Sequence, residues 1–519
     1  MARNRGDCIS RLQDEIISVH ILTKLPINQA AATSILSRKW RNLWTLMPSV
    51  EINDQGEQEE QGEPGEEENR ENAFYARMQG LLSHPAAAAT PLQGFSLVCE
   101  EWTRAEEMTR LIRIALQDRR AKKLKVDVAP AWEGGNLILP DIVYTSPDLL
   151  ALNISKVIVQ MPAGAVFISL KSLTVDITHQ SDPSLQNFYH RCPVLEELAF
   201  EGRIDEFPDV EHHFRVSSES LKLFSLRLHS DFNYEKYYDV DLDIYKFSIR
   251  APKLKHLVLD ENILASYAIE GSENLVGADI STGWDDDLSY PGATDLFLAR
   301  VFKLMEGLKH IQMLELNERT MAVSETILSR FLSCHVMNVW TDVLFSPQAL
   351  GMAFNRLCLI EDEGDQDSDD EEEHLIDDEG DQDGDDEEEH LIDDEGDQDG
   401  DEEEEHLRAE KDVWSLVEKK MGTFPLLTNL KLRIGNNLGW AVFPYLLKSC
   451  TALKSLVLEM VVMDGVEEGF AWNPPSAKPA CLEESIERVQ LRGFEEQGER
   501  VLQYFQEING RNPFELIVL

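Results

Sequence analysis

A short apolar motif of the form LxxLxL recurs along most of this chain, and it constrains the fold more than any other feature. The clearest copies before residue 320 are LLALNI (149–154), SLKSLTVDI (169–177), CPVLEELAF (192–200), SLKLFSLRL (220–228), APKLKHLVLD (251–260) and HIQMLEL (310–316). LLTNLKL (426–432), CTALKSLVLE (450–459) and SIERVQL (485–491) follow later. Corresponding leucines in neighbouring clear units lie roughly 21 to 33 residues apart. On a strand the alternating leucines share one face. A single unit cannot bury that face, but a stack of units can, so the array must fold as one body with a continuous core.

The spacing is close to that of leucine-rich repeats, at or slightly above its upper end. The expected fold class is therefore α/β: a three-helix N-terminal unit, then a leucine-rich-repeat solenoid with parallel strands, interrupted by a disordered acidic insert. An ordinary α/β domain is the alternative, and regular recurrence of one unit argues against it. No Asn or Cys recurs steadily at the ladder position. The expected divisions are 7–48 for the helical unit, 49–72 for an acidic flexible linker and 73–359 for repeats. An acidic tandem repeat (360–407), further repeats (408–471) and a distinct C-terminal region (472–519) follow.

Residues 7–48 are dense in large apolar side chains. Ile16, Ile17, Ile21, Leu22 and Leu25 mark a first helix that Pro26 stops, a short Ala-rich helix covers 29–35, and Leu36, Trp40, Leu43 and Trp44 share one face of a third. A unit of this size is marginal alone and leaves apolar surface over for a partner.

Charge narrows the function. The net charge is −48, but residues 361–405 hold 30 Asp and Glu with no Lys or Arg. Removing them leaves −18 for the rest of the chain. No clustered Lys and Arg dominate, which argues against nucleic-acid binding. The acidic stretch is a sixteen-residue unit present three times, as in IDDEGDQDGDDEEEHL. Like charges at this density extend a chain and forbid a core. Read from Asp365, an EF-hand would need Gly at Asp370 and Glu at Ile376, so no calcium loop is expected. A tether for basic proteins is the functional alternative to a solvated duplication.

Seven cysteines without CxxC spacing suggest reduced thiols in the nucleus or cytoplasm. The most apolar long window, 149–170, is broken by Asn153, Lys156 and Pro162, so no membrane span is expected. HExxH, GxSxG, Walker-type and GxGxxG patterns are absent. Asp239, Asp241 and Asp243 read as the wet face of a strand, and the adjacent His212 and His213 point to opposite faces. The expectation is a non-enzymatic protein with no cofactor and no metal.

The segment DCISRLQDEIISVHILTKLPINQAAATSILSRKWRNLW resembles the F-box of plant proteins, above all in TSILSRKWRNLW behind LQDEI. WNPPSAKPACLEESIERVQLRGFEEQGERVLQYFQEI (472–508) resembles the FBD region of plant F-box/leucine-rich-repeat proteins. Gln13 stands where the family usually has Pro, and Ile16 and Ile21 are five apart where the family's apolar pair recurs after four. One inserted residue turns the following face by about 100° unless a π-turn absorbs it.

The resemblance implies the substrate-recognition subunit of an SCF-type (Skp-cullin-F-box) ubiquitin ligase. Its F-box would bind a Skp-type adaptor and, through it, a cullin, while the repeats hold an unknown target protein. The expected adaptor contacts are Leu12, Ile16, Leu25, Pro26, Ile35, Leu36 and Trp40. The expected target-facing positions are Lys171, Glu197, His256 and Lys454, polar residues beside the strand leucines. The alternative is a protein-binding scaffold whose ligase attachment is weakened or lost.

Overall fold

The computed structural model describes residues 9–54, 67–88, 90–99, 104–128, 137–178, 189–204, 212–230, 245–263, 265–282, 300, 303–321, 423–435, 440, 442–461, 472, 478–494 and 498–519. The acidic repeat 360–407, the aspartate run 239–243 and Cys8, Cys334 and Cys358 lie outside them.

Seventeen strands are described. They are β1 (Ser49–Asn53), β2 (Gly94–Cys99), β3 (Lys123–Val128), β4 (Ala151–Ser155), β5 (Ser172–Asp176), β6 (Glu197–Ile204), β7 (His212–Ser217), β8 (Leu223–Ser230) and β9 (Tyr245–Arg250). β10 (His256–Glu261), β11 (Ser266–Glu270), β12 (Gly277–Thr282), β13 (Met313–Leu316), β14 (Asn429–Gly435), β15 (Ser455–Val461), β16 (Arg488–Arg492) and β17 (Glu515–Val518) complete the set. Fourteen form one sheet in the order β1-β2-β3-β4-β5-β6-β8-β10-β12-β13-β14-β15-β16-β17. All its pairings are parallel, from β1 with β2 to β16 with β17. Such a ladder of single strands, each displaced by one unit, is the solenoid the recurrence requires.

The register is constant. Leu152, Leu173, Leu198 and Phe224 follow one another across β4, β5, β6 and β8, and Leu430, Leu456 and Val489 do so across β14 to β16. These side chains belong to one continuous buried core. At most strand starts one carbonyl accepts two amides from the next unit: Lys171 O accepts from Glu196 N and Glu197 N at 2.8 and 2.9 Å. Lys222 O accepts from Lys255 N and His256 N in the same way.

The solenoid starts earlier than expected. The flexible linker placed over 49–72 is corrected at both ends, because Ser49–Asn53 is the first strand and Glu67–Leu82 is a helix. Val50 and Ile52 alternate into the core in SVEIN, and Phe74, Tyr75, Met78 and Leu82 bury one side of the helix. The acidic residues between them masked both signals.

A second, three-stranded parallel sheet, β11-β9-β7, was not foreseen. HHFRVS, YKFSIR and SYAIE lie between the LxxLxL copies, and each alternates with period two. Its rings pack on the main sheet, with Phe200 to Phe214 at 5.4 Å, Phe214 to Phe247 at 5.2 Å and Phe247 to Tyr267 at 5.8 Å. His212 stacks on Tyr245 while the His213 ring nitrogen meets Ser248 Oγ at 2.8 Å, so the two histidines do face opposite ways.

Different residues cap successive turns in place of a steady asparagine ladder. Asp176 accepts from Ser155 Oγ at 2.6 Å and from Thr178 N at 2.9 Å. Asn262 accepts from Ser230 N and donates to Ser230 O at 2.6 and 2.8 Å, and Thr320 Oγ1 donates to Thr282 O at 3.0 Å. Each arrangement satisfies backbone groups where a strand ends in the interior.

Toward the C-terminus Trp440, Phe443, Trp472 and Tyr504 form an aromatic cluster, with Trp440 and Trp472 edge to face at 4.8 Å. Trp472 thus ties the last units to those before them. Gly493 has φ +70°, the left-handed region that lets the chain turn there and brings Phe494 to 6.3 Å from Trp440.

Candidate functional site

Two surfaces stand out, the face of the N-terminal helices and the concave face of the long sheet. The helical unit has its own core of Ile17, Leu22, Ala30, Trp40, Leu43, Trp44 and Met47. Asp14–Ile16 is α-helical, Ile17–Ile21 is a π-turn and Leu22–Lys24 is 3-10 helical. The π-turn absorbs the extra residue near Val19, so both Ile17 and Leu22 face inwards with 0% exposure. Lys39 Nζ donates to Leu12 O at 2.5 Å and pairs with Asp14 at 3.3 Å, tying the third helix region to the first.

The unit is packed on the solenoid. Ile27 is buried in the solenoid core, Leu81 of the Glu67–Leu82 helix packs against both cores, and Trp44 meets His84 edge-on at 5.2 Å.

The seven residues read from the sequence divide by burial. Ile35 is 89% exposed, Leu36 63% and Ile16 38%, and Pro26 is exposed as well. Leu12 and Leu25 are half-buried, packed on the unit's core with an edge still open. Trp40, only 6% exposed, is a core side chain, which corrects its reading as a surface contact. Its helical spacing with Leu43 and Trp44 marks a face that turns inwards. Ile9 and Leu46, exposed apolar residues of the same unit, were not singled out from the sequence.

On the sheet, Glu197 and His256 open β6 and β10 on the outward face, both paired in register with Leu223 of β8. Lys171 and Lys454 stand one residue before β5 and β15, on the rim, so their placement among the outward strand residues is corrected. They belong to ion pairs along that rim. Glu196 lies 3.3 Å from Lys171 and 2.9 Å from Lys222, and Lys454 lies 2.8 Å from Glu487. Lys222 first, and then Lys171, hold the Glu196 carboxyl below the usual carboxylate range.

The outward strand positions missed from the sequence are the middle residues of each LxL. On β12, β13 and β14 they are charged: Asp279, Glu315 and Lys431 follow one another in register. Lys431 bridges Glu315 and Glu459, the latter at 3.6 Å, and Arg433 lies 3.7 Å from Glu318 and 3.9 Å from Glu459. Partial loss of water, and then Glu315, push the Asp279 carboxyl above its ordinary range. On β6, β8 and β10 the middle residues are small: Ala199, Ser225 and Val258.

Among the described residues no group of three or more His, Cys, Asp or Glu side chains is placed to hold a metal. None of the described helices is long and apolar enough to cross a membrane.

Comparison with known proteins agrees with this architecture. Residues 9–51 match the F-box domain, and residues 109–273 match the leucine-rich repeats of the FBD-associated F-box protein At5g56370. The chain is 29% identical over 327 residues to the F-box/FBD/LRR-repeat protein At5g22700 of Arabidopsis thaliana, covering 62% of this chain and 69% of that protein. It is 30% identical over 280 residues to F-box/LRR-repeat protein 13 of Arabidopsis thaliana, covering 53% of this chain and 56% of the relative. With F-box/FBD/LRR-repeat protein At5g22660 of the same plant it shares 26% over 341 residues, or 64% and 68% of the two chains. The chain thus spans between 56% and 69% of the length of these relatives. With an F-box packed on a parallel-strand solenoid whose repeats match this plant group, the chain is a plant F-box/leucine-rich-repeat protein of the FBD-associated kind.

Proposed function

We propose that the chain is the substrate-recognition subunit of an SCF-type ubiquitin ligase. The F-box binds a Skp-type adaptor and thereby a cullin, while the concave sheet face holds a target protein in the nucleus or cytoplasm. It performs no chemistry of its own. One observation carries this reading: Ile16, Pro26, Ile35 and Leu36 remain exposed on a helical unit whose core is already filled by Ile17, Leu22, Trp40 and Leu43. Apolar side chains left over by a filled core fit a partner surface. Leu12 and Leu25 border them.

The rival reading, a scaffold that has lost its ligase attachment, rested on the extra residue of the first helix. The π-turn keeps Leu22 in the core despite that residue, which favours attachment. Co-purification of the full chain with a plant Skp-type adaptor tests the proposal. Capture by the native chain, lost in Ile35→Asp with Leu36→Asp, supports it. No capture by the native chain ends it.

A further inference from the structure

On β6, β8 and β10 the concave face carries a notch. Its floor is Ala199, Ser225 and Val258, side by side in register. Longer side chains stand around this floor, because the residues two positions before and after it on each strand share its face. Glu197, Leu223 and His256 are at one end, and Glu201, Arg227 and Asp260 are at the other.

Two independent observations bear on what the notch takes. The first is the Ser225 hydroxyl. Ser225 is 7% exposed, lies between Phe224 and Leu226 of the core but faces the other way, and its Oγ has no hydrogen-bond partner. A hydroxyl shut off from water and left unpaired is costly, and a donor from an incoming chain would satisfy it once the flanking side chains shift aside. The second is charge. Arg227 is held by Glu201 at 3.0 Å, and Asp260 lies 3.5 Å from His229 and 3.8 Å from Arg319. Glu197 has no ion pair among the described residues, and Asp279 on the next strand adds a further negative group.

We infer that this notch receives a lysine or arginine side chain from an extended segment of the partner protein. Its methylenes lie on Ala199, Val258 and Leu223, its cation meets Glu197, and a donor of the same segment reaches Ser225 Oγ. Long cationic side chains commonly rest an apolar stem on such a floor while the charge stays at the edge. An acidic segment would instead meet Glu197, Glu201, Asp260 and Asp279. The inference rests on the concave face being the target-binding face and adds the chemistry it selects.

A short randomised peptide library, selected on the full chain and separately on Glu197→Lys and Ser225→Leu chains, tests this. The native chain should enrich Lys or Arg at one peptide position by about ten-fold over either variant. The acidic tract 361–405 attracts cations regardless of their position and does so equally on all three chains, so the difference between chains reads the notch. Equal enrichment on all three, none on any, or enrichment of Asp and Glu on the native chain overturns the inference. Glu197 is exposed, so its substitution keeps the test decisive even where Ser225→Leu fails to fold. Adaptor capture by the same chains is read separately. Its loss ends the ligase reading, whereas failed peptide selection with capture intact ends only the notch.

Discussion

Ile17 and Leu22 stand five positions apart and are both fully buried in one small core, because the backbone between them turns as a π-helix. A regular α-helix would set the second side chain about 100° further round. One wide turn therefore reconciles an added residue with an unchanged interior.

That geometry sets opposite outcomes for shortening and lengthening. Deleting Val19 brings Ile17 and Leu22 to four positions apart, a spacing an α-helix places on one face. Folding and adaptor capture are expected to persist. Inserting Ala after Val19 should drive Leu22 out of the core at a cost of about 2–3 kcal/mol. Urea unfolding of the two chains, with adaptor co-purification alongside, checks both.

Stability and binding should separate within the F-box. Trp40→Ala removes a core ring and is expected to cost about 3–5 kcal/mol. Ile35→Asp and Leu36→Asp change exposed sites and should leave the melting temperature nearly unchanged while abolishing adaptor capture. If the aspartate pair lowers the melting temperature as much as Trp40→Ala does, the assignment of inside and outside is wrong.

Gly493 should resist substitution. Its φ of +70° disfavours any Cβ, and one placed there would lie 2.8 Å from Met460 O. Gly493→Ala is expected to destabilise the C-terminal units by about 1–3 kcal/mol, read as a lowered thermal midpoint. An unchanged midpoint would contradict the close approach of β15 and the turn after β16.

Alkaline pH should weaken the fold. Burial pushes the thiols of Cys192 and Cys481 up to about 12 and about 11, and the phenols of Tyr245 and Tyr504 up to about 12. Cys99 and Tyr75 move in the same direction. Above about pH 9 the unfolded chain loses protons that the folded chain retains, so stability is complete below that pH and declines as pH rises toward 12. Thermal melts at pH 8 and pH 10.5 in the same buffer ions should show a lower midpoint at the higher pH. Thiol labelling of the buried Cys99, Cys192, Cys450 and Cys481 should be slow until the chain unfolds.

The repeat architecture was legible because its signal is local: alternating leucines on each strand specify the buried face, and their recurrence specifies the stack. β1 was hidden because Val50 and Ile52 are only two apolar residues within an acidic stretch, and β7, β9 and β11 because nothing in the repeat pattern calls for a second sheet. Reading Ile35 and Leu36 as contacts needed only their surplus in a small unit, and the structure leaves both exposed. Trp40 was misplaced because apolar spacing alone cannot tell an inward face from an outward one. Lys171 and Lys454 fell on the rim because a shift of one register position decides where a side chain stands.

β13 and β14 are hydrogen-bonded neighbours, Met313 opposite Asn429, although residues 317–428 separate them in sequence. Each coil touches only the coils beside it, so a longer excursion at this seam costs just its closure entropy, about 0.6 kcal/mol for every doubling. The joint is therefore a natural graft site, where tandem copies of the acidic unit can be gained or shed, or a reporter domain spliced in, while the ladder on either side keeps its register.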